Sequence, residues 1–149
     1  NHEQALTYLK EALEIKTKHF GYEHMDIAST LNNIGAIHQA LGQNEEALKK
    51  YEESLAIKSK LVGPDHIEIS KSLHNIGVMF SKTGKHKQAL AKCEEALRGK
   101  INFYGSESPE VANEMVQIGT IYQSMGKEKE ALNKYEEALR IKTAVRSGS

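Results

Sequence analysis

A recurrence of 42 residues constrains this chain more than any other feature of its sequence. The Ala-Leu pairs that mark it begin, 42 residues apart, at Ala5, Ala47, Ala89 and Ala131. Other residues keep the same register, among them Glu11, Glu53, Glu95, Glu137, Gly21, Gly63 and Gly105. A fixed period between about 20 and 50 residues is typical of stacked supersecondary units, each of which buries its apolar face against a neighbour. The 149 residues therefore hold about three and a half units rather than one compact core.

Each unit carries two stretches with helical periodicity. In the first full unit, apolar residues recur at three- and four-residue steps from Ile27 to Leu41, which indicates one buried stripe. Gly42 follows this stripe, and a second stripe runs from Ala47 until Gly63-Pro64 ends it. The pattern predicts an all-α fold, an α-solenoid of antiparallel helix pairs, with helices near residues 2–20, 24–41, 44–61, 66–83, 86–103, 108–125 and 128–145.

The register also predicts how the chain is divided. We expect residues 1–146 to form a single array, in which residues 1–22 are the second helix of a truncated repeat. Three repeats follow, at residues 23–64, 65–106 and 107–146. Residues 147–149 are expected to be a tail or a cloning scar, and the chain to be a fragment of a longer protein.

Gly35, Gly77 and Gly119 lie inside the first helix of each pair, where glycine costs about 1 kcal/mol relative to alanine. We expect the missing side chains to let the second helix, which begins with a small alanine, pack close to the backbone of the first. A kink in the helix at each glycine is the alternative.

Charge and cysteine content exclude several classes of protein. Twenty basic and twenty acidic residues cancel, so the chain as a whole has no attraction for nucleic acid or an anionic membrane. No apolar run reaches the roughly 18 to 20 residues that cross a membrane, and we expect a cytoplasmic protein. Cys93, the only cysteine, cannot form an internal disulfide, and its place on a predicted buried stripe indicates an inert core thiol.

No metal, cofactor or catalytic site is expected. The seven histidines have no metal-ligand spacing with one another or with Cys93, and His24 and His66 occupy equivalent positions at predicted helix starts. The sequence contains no phosphate-binding loop, catalytic triad or nucleotide fingerprint. We therefore predict a protein that is not an enzyme.

The first full unit resembles the tetratricopeptide repeat. The resemblance rests on Leu31-Asn32-Asn33-Ile34-Gly35, followed at the offsets of that family by Ala47, Tyr51 and Ser54. The usual repeat has about 34 residues, so the second helix and its loop would be longer here. Long repeats with Leu-Asn-Asn-Ile-Gly and Gly-Pro-Asp-His are similar to those of kinesin light chains. The resemblance implies a right-handed superhelix whose first helices line a concave groove that binds short, often acidic, peptides.

The exposed side of the first helices is the predicted binding surface. Counting from the buried stripe places ten candidate residues there: Ser29, Asn32, Asn33, Lys71, His74, Asn75, Lys82, Asn113, Gln117 and Thr120. Carboxylates are absent from this surface, whereas one carboxamide recurs in each unit at Asn33, Asn75 and Gln117. Because an amide offers both donors and an acceptor, it can bind the backbone of an extended peptide of any sequence. The alternative is that these amides bond to local backbone or to one another.

Two functions remain open at this point. The first is an interaction scaffold that binds a short extended peptide, and the positive character of Lys71, Lys82 and His74 would favour an acidic one. The second is a structural array that self-associates end to end or spaces other domains, because the last helix exposes apolar residues to no following unit: Leu132, Tyr135 and Leu139. Two lysines are too few for helical-repeat recognition of RNA. We therefore expect a protein or peptide partner, and neither nucleic acid nor membrane.

Overall fold

The computed structural model describes residues 1–146, which form seven α-helices and contain no strand. Every helix boundary lies within one residue of its predicted position, so the predicted all-α class is confirmed. The predicted tail, residues 147–149, lies outside the described residues. The helices are α1 His2–Phe20, α2 Met25–Ala40, α3 Asn44–Val62, α4 Ile67–Lys82, α5 His86–Tyr104, α6 Pro109–Ser124 and α7 Glu128–Arg146.

The first helix of each pair ends in the same way. After α2, the amide of Gln43 donates to the His38 carbonyl at 2.8 Å, and the amide of Gly42 donates to the Gln39 carbonyl at 3.0 Å. This Schellman motif requires a positive φ, and glycine adopts the observed value of 77° without a steric penalty. The equivalent glycines after α4 and α6 have φ of 79° and 78°, so the predicted helix stops are confirmed.

Short side chains or ring nitrogens cap the starts of the first helices. His24 Nδ1 accepts from the amide of Asp26 at the start of α2, at 3.1 Å. His66 Nδ1 accepts from the amide of Glu68 at the start of α4, also at 3.1 Å. At α6, Ser108 Oγ accepts from the amide of Val111 at 3.2 Å. The two histidines are therefore helix-start residues, as their equivalent positions predicted.

Contacts divide the chain into two compact units, residues 1–72 and the residues from 73 onward, with the boundary inside α4. In the first unit, α2 packs against both α1 and α3. Its core joins Leu13 of α1 to Ile27, Ala28, Leu31 and Ile57. Ser54 of α3 donates to the buried carbonyl of Ala28 at 2.7 Å, which fixes α3 against the first half of α2.

In the second unit, α6 packs against both α5 and α7. The core is built from short and medium-sized apolar side chains, and no large aromatic residue is fully buried in it. Its buried members are Ala89, Cys93, Leu97, Val111, Ala112, Met115, Ile118, Ile121, Ala138 and Ile141. Each unit thus repeats one arrangement, in which a first helix is covered by second helices of the chain on two sides.

The three glycines inside the first helices mark places where the second helix comes close. A Cβ on Gly35 would lie 2.9 Å from the Tyr51 ring and 3.3 Å from the Ala47 carbonyl oxygen. A Cβ on Gly77 would lie 2.5 Å from Cys93 Sγ, and one on Gly119 would lie 2.7 Å from the ring of Tyr135. All three helices continue unbroken through these positions. The predicted close approach is confirmed.

Candidate functional site

All ten candidate residues lie on α2, α4 and α6, and none of them is buried. We call these residues the first-helix face. In the first unit the face groups Ser29, Asn32 and Asn33 on α2, with Lys71 in the part of α4 that belongs to this unit. In the second unit it groups residues from two helices: His74, Asn75 and Lys82 on α4, with Asn113, Gln117 and Thr120 on α6.

The recurring carboxamides are accessible. Asn33 is exposed, and Asn75 and Gln117 are half-buried. None of the three side chains forms a hydrogen bond within its own unit, as judged from the described residues. Their donors and acceptors are therefore not used by neighbouring backbone within the unit. This argues against the alternative that these amides bond to local backbone.

Gln39 and Gln123, which lie beside the face on α2 and α6, contribute to helix packing. The hydroxyl of Tyr51 donates to Gln39 Oε1 at 2.8 Å, and the hydroxyl of Tyr135 donates to Gln123 Oε1 at 2.9 Å. Thr120 Oγ1 lies 3.2 Å from the Tyr135 hydroxyl as well. These bonds tie the second helix of a pair to the first, so Thr120 belongs as much to the helix packing as to the face.

Acidic residues are distributed unevenly between the two kinds of helix. Thirteen of the twenty carboxylates lie on α1, α3, α5 and α7. On the first helices, Asp26, Glu68 and Glu110 occupy first turns, where the helix dipole favours negative charge. Glu114 is the remaining one, and its side chain is buried. Past their first turns, the described first helices therefore carry no exposed carboxylate.

Glu114 is a functional candidate that the sequence analysis missed. Its side chain is 0% exposed, and Lys100 Nζ donates to Oε1 at 2.7 Å. His74 Nδ1 lies 2.9 Å from Oε1 and 3.0 Å from Oε2. Burial alone would raise the pKa of this carboxyl, but the hydrogen bonds and charges of His74 and Lys100 outweigh it and hold the pKa below its usual value. Within the second unit, this contact joins α4 to α6.

The internal repeat carries the signal that could have revealed this contact. Lysine recurs at Lys16, Lys58 and Lys100, and each donates to the polar residue found 14 positions later. The acceptors are Thr30 at 3.2 Å, Ser72 at 3.3 Å and Glu114 at 2.7 Å. Only the last acceptor is ionisable, so aligning the units would have singled out Glu114.

Cys93 lies beside the same carboxylate. Its thiol is 0% exposed, and its pKa is raised to about 12, first by burial and then by the charge and hydrogen bond of Glu114. A thiol that stays protonated at neutral pH is a poor nucleophile. The expected core thiol is therefore what the structure shows.

The same repeat is found by comparison with known families. The sequence profile described as tetratricopeptide repeat matches residues 1–60, 26–102 and 68–144, which together span nearly the whole chain. The chain is a tetratricopeptide repeat protein. No curated protein sequence matches it. Repeats of this family generally mediate protein–protein interaction or scaffolding.

Solved structures share the fold of this tetratricopeptide repeat protein. BtubC (BKLC) from P. vanneervenii superposes with a TM-score of 0.90 at 24% identity, over 97% of this chain and 58% of that one. A Podosopora anserina kinesin light chain with nearly identical TPR-like repeats superposes with a TM-score of 0.84 at 22% identity, over 95% and 67% of the two chains. A single-site variant of it gives 0.83 at 22% identity, over 99% and 69%. The predicted α-solenoid class and the kinesin light chain-like repeat are confirmed.

The last helix of this tetratricopeptide array differs in one respect from its expected exposure. Leu132 and Leu139 are 58% and 66% exposed, in agreement with the predicted apolar surface of this helix. Tyr135 is half-buried instead, because its ring lies against Gly119 and its hydroxyl bonds to Gln123. The apolar end surface of α7 is thus formed by the two leucines and Val145, without the tyrosine.

Two kinds of feature are absent from residues 1–146. No helix in this range is long and apolar enough to cross a membrane. No group of three or more His, Cys, Asp or Glu side chains there could hold a metal ion.

Proposed function

We propose that this protein is a non-catalytic interaction scaffold whose first-helix face binds a short, extended peptide segment. The observation that carries the proposal is the two unpaired carboxamides of the second unit, Asn75 and Gln117; Asn33 holds the equivalent position in the first unit. An extended peptide exposes N–H and C=O groups along its length, and each amide can donate to one and accept from the other. The resulting contacts hold the peptide backbone and leave its side chains to be read by neighbouring residues.

The charge of the face favours an acidic peptide. Lys71 and Lys82 are exposed, and no exposed carboxylate lies past the first turn of a first helix. Complementary charge raises the rate of encounter and selects against basic partners more than it raises affinity. A protein partner fits this face, whereas a nucleic acid would need a denser row of basic residues.

The test is a screen of the purified protein against a peptide library, followed by variants made within one unit. Asn75→Ala combined with Gln117→Ala should weaken binding of a selected peptide, because both amides of the second unit are lost. Asn102→Ala combined with Asn133→Ala is the matched control, since both residues are exposed and lie on second helices. If no peptide binds, or if the two double variants bind equally well, the proposal is wrong.

A second function, self-association, is favoured by the exposed leucines of α7. Leu132 and Leu139 together with Val145 leave apolar area in water, and a second copy could cover it. Light scattering over a range of concentrations tests this. A molar mass that rises with concentration in the wild type, but stays at the monomer value in Leu139→Glu, would support self-association. A constant monomer mass in both proteins would exclude it.

A further inference from the structure

Two departures from the repeat pattern contact each other in the second unit. The position occupied by Thr30 and Ser72 in earlier units holds Glu114, and the position occupied by Asn32 holds His74. His74 Nδ1 is within 3.0 Å of both carboxylate oxygens of Glu114. The imidazole is on the first-helix face, and the carboxylate is beneath it. The pair therefore couples a buried charge to an accessible ring.

The contact orients the ring. A carboxylate accepts hydrogen bonds, so Nδ1 carries the proton that is shared with Glu114, and the second ring nitrogen, Nε2, is left for another partner. The His74 side chain is 32% exposed, whereas that of Glu114 is 0% exposed, so Glu114 binds the inner edge of the ring. This arrangement fixes the tautomer and limits rotation of the ring in the way that carboxylates fix metal-bound or catalytic histidines.

Charge balance determines what the outer edge can accept. Lys100, 13% exposed, already supplies one positive charge to Glu114, so the cluster is neutral when His74 is neutral. Cys93, whose thiol is protonated, also lies against Glu114, and the charge of Glu94 acts on that thiol. Protonation of His74 gives the cluster a charge of plus one. A carboxylate at Nε2 would neutralise that charge and would share the imidazolium with Glu114.

We propose that His74 recognises a carboxylate of the bound peptide through Nε2 and takes up one proton when it does so, with Glu114 as the residue that positions the ring. This inference rests on the proposed function, because it assigns a role to one residue of the same face. The equivalent residues, Asn32 and Val116, cannot be protonated, so the pH-dependent part of the preference for an acidic peptide is located in the second unit.

The test compares two end-blocked peptides, one of alternating Glu and Ala and the other of alternating Gln and Ala. Each is titrated into isotope-labelled protein, and affinities are followed by NMR between about pH 6 and about pH 8, the range in which histidine titrates. The acidic peptide should bind more weakly as the pH rises, by up to about tenfold per pH unit, the limit for uptake of one proton. Affinity for the Gln peptide should not depend on pH.

Three variants locate the effect. His74→Asn, which introduces the residue found at Asn32, should abolish the pH dependence of binding to the acidic peptide. Glu114→Gln should reduce the pH dependence while His74 remains present, and the NMR signals of His74 should show a less fixed ring. Lys82→Gln should lower affinity for the acidic peptide without changing its pH dependence.

The outcomes separate the two proposals. If neither peptide shifts the amide signals of α4 and α6, both the proposed function and this inference are wrong. If both peptides bind and neither affinity depends on pH, the proposed peptide site is supported and the proposed role of His74 is wrong. A pH dependence that survives in His74→Asn would also overturn it. Should Glu114→Gln fail to fold, the His74→Asn result decides alone.

Discussion

The two units solve the same packing problem with different chemistry. Where α1 meets α2 in the first unit, Lys16 donates to the hydroxyl of Thr30 at 3.2 Å. Where α5 meets α6 in the second unit, Lys100 donates to the carboxylate of Glu114 at 2.7 Å. The backbone positions are equivalent, since both members differ by 84 in residue number. A register set by apolar residues therefore tolerates either a neutral hydroxyl or a carboxylate as the acceptor of the lysine at this point.

The carboxylate depends on partners from other helices, whereas the hydroxyl also bonds within its own helix. Thr30 also donates to the Asp26 carbonyl within its own helix, so its hydroxyl is satisfied locally. Glu114 has no such local partner and instead relies on Lys100 and His74. A small thiol, Cys93, lies next to it, at the position that Leu9 fills in the first unit. The second unit thus has an accessible histidine held in place by a buried carboxylate. Its core, however, depends on Lys100 and His74 to balance the charge of that carboxylate.

The largest expected effect is the loss of Glu114. Glu114→Ala would leave Lys100 and His74 without their buried partner and should lower the free energy of unfolding by about 3 to 5 kcal/mol. Thr30→Ala, the matched change in the first unit, should cost about 1 to 2 kcal/mol, because it removes a neutral acceptor of the Lys16 hydrogen bond and a methyl group. Urea unfolding of both variants measures the difference. Equal losses would mean that the carboxylate contributes no more than a hydroxyl.

The next effect concerns the close approach at the glycines. Gly35→Ala should lower the free energy of unfolding by about 1 to 3 kcal/mol, because the Tyr51 ring must shift, and this outweighs the gain in helix propensity. Gly77→Ala should cost a similar amount through its contact with Cys93 Sγ. Adding Cys93→Ala to Gly77→Ala should recover part of the loss in thermal or urea unfolding. If the loss in the double variant equals the sum of the losses in the two single variants, the close contact is contradicted.

A third prediction concerns alkaline pH. The folded state holds the Cys93 proton because its pKa is about 12, whereas a thiol in an unfolded chain ionises near about 8.5. Above that pH the unfolded state binds fewer protons, so the free energy of unfolding falls as pH rises, by up to about 1.4 kcal/mol per pH unit. Between about pH 8 and about pH 10, the free energy of unfolding should therefore fall more steeply with pH for the wild type than for Cys93→Ala. Parallel pH profiles would show that the thiol does not contribute.

The smallest effect is expected at the tyrosine hydroxyls. Tyr51→Phe keeps the ring against Gly35 and removes only the bond to Gln39, so it should cost about 0.5 to 1.5 kcal/mol. Tyr135→Phe should cost less, since its hydroxyl is nearer to solvent and can be replaced by water. Urea midpoints measured side by side decide this. A larger loss for Tyr135→Phe would reverse the expected order of burial.

Much of the fold could be read from the sequence because short-range rules govern it. The period of three and four residues defines the helices, and Gly42, Gly84 and Gly126 end the first helices through a local backbone motif. The close approach at Gly35 could be inferred as well, because a costly residue in a helix interior demands a packing reason. The accessible carboxamides of the face followed from counting around the same helices.

Contacts between residues distant in sequence were harder to infer. The link between His74 and Glu114 joins residues 40 positions apart, and neither residue is unusual when read alone. The inward orientation of Tyr135 was also missed, since a ring on an end helix can face either a partner helix or solvent. Both depend on how two helices are placed side by side, which the apolar period does not specify.

The sequence by itself determined the helices, their ends and the family, because these follow from local backbone preferences and a repeated apolar pattern. The tertiary structure alone decided that Glu114 is buried beneath His74 and bound to Lys100. The physical reason is that a charged group can be buried only where opposite charge and hydrogen bonds converge from other helices. That convergence exists only after the helices have packed.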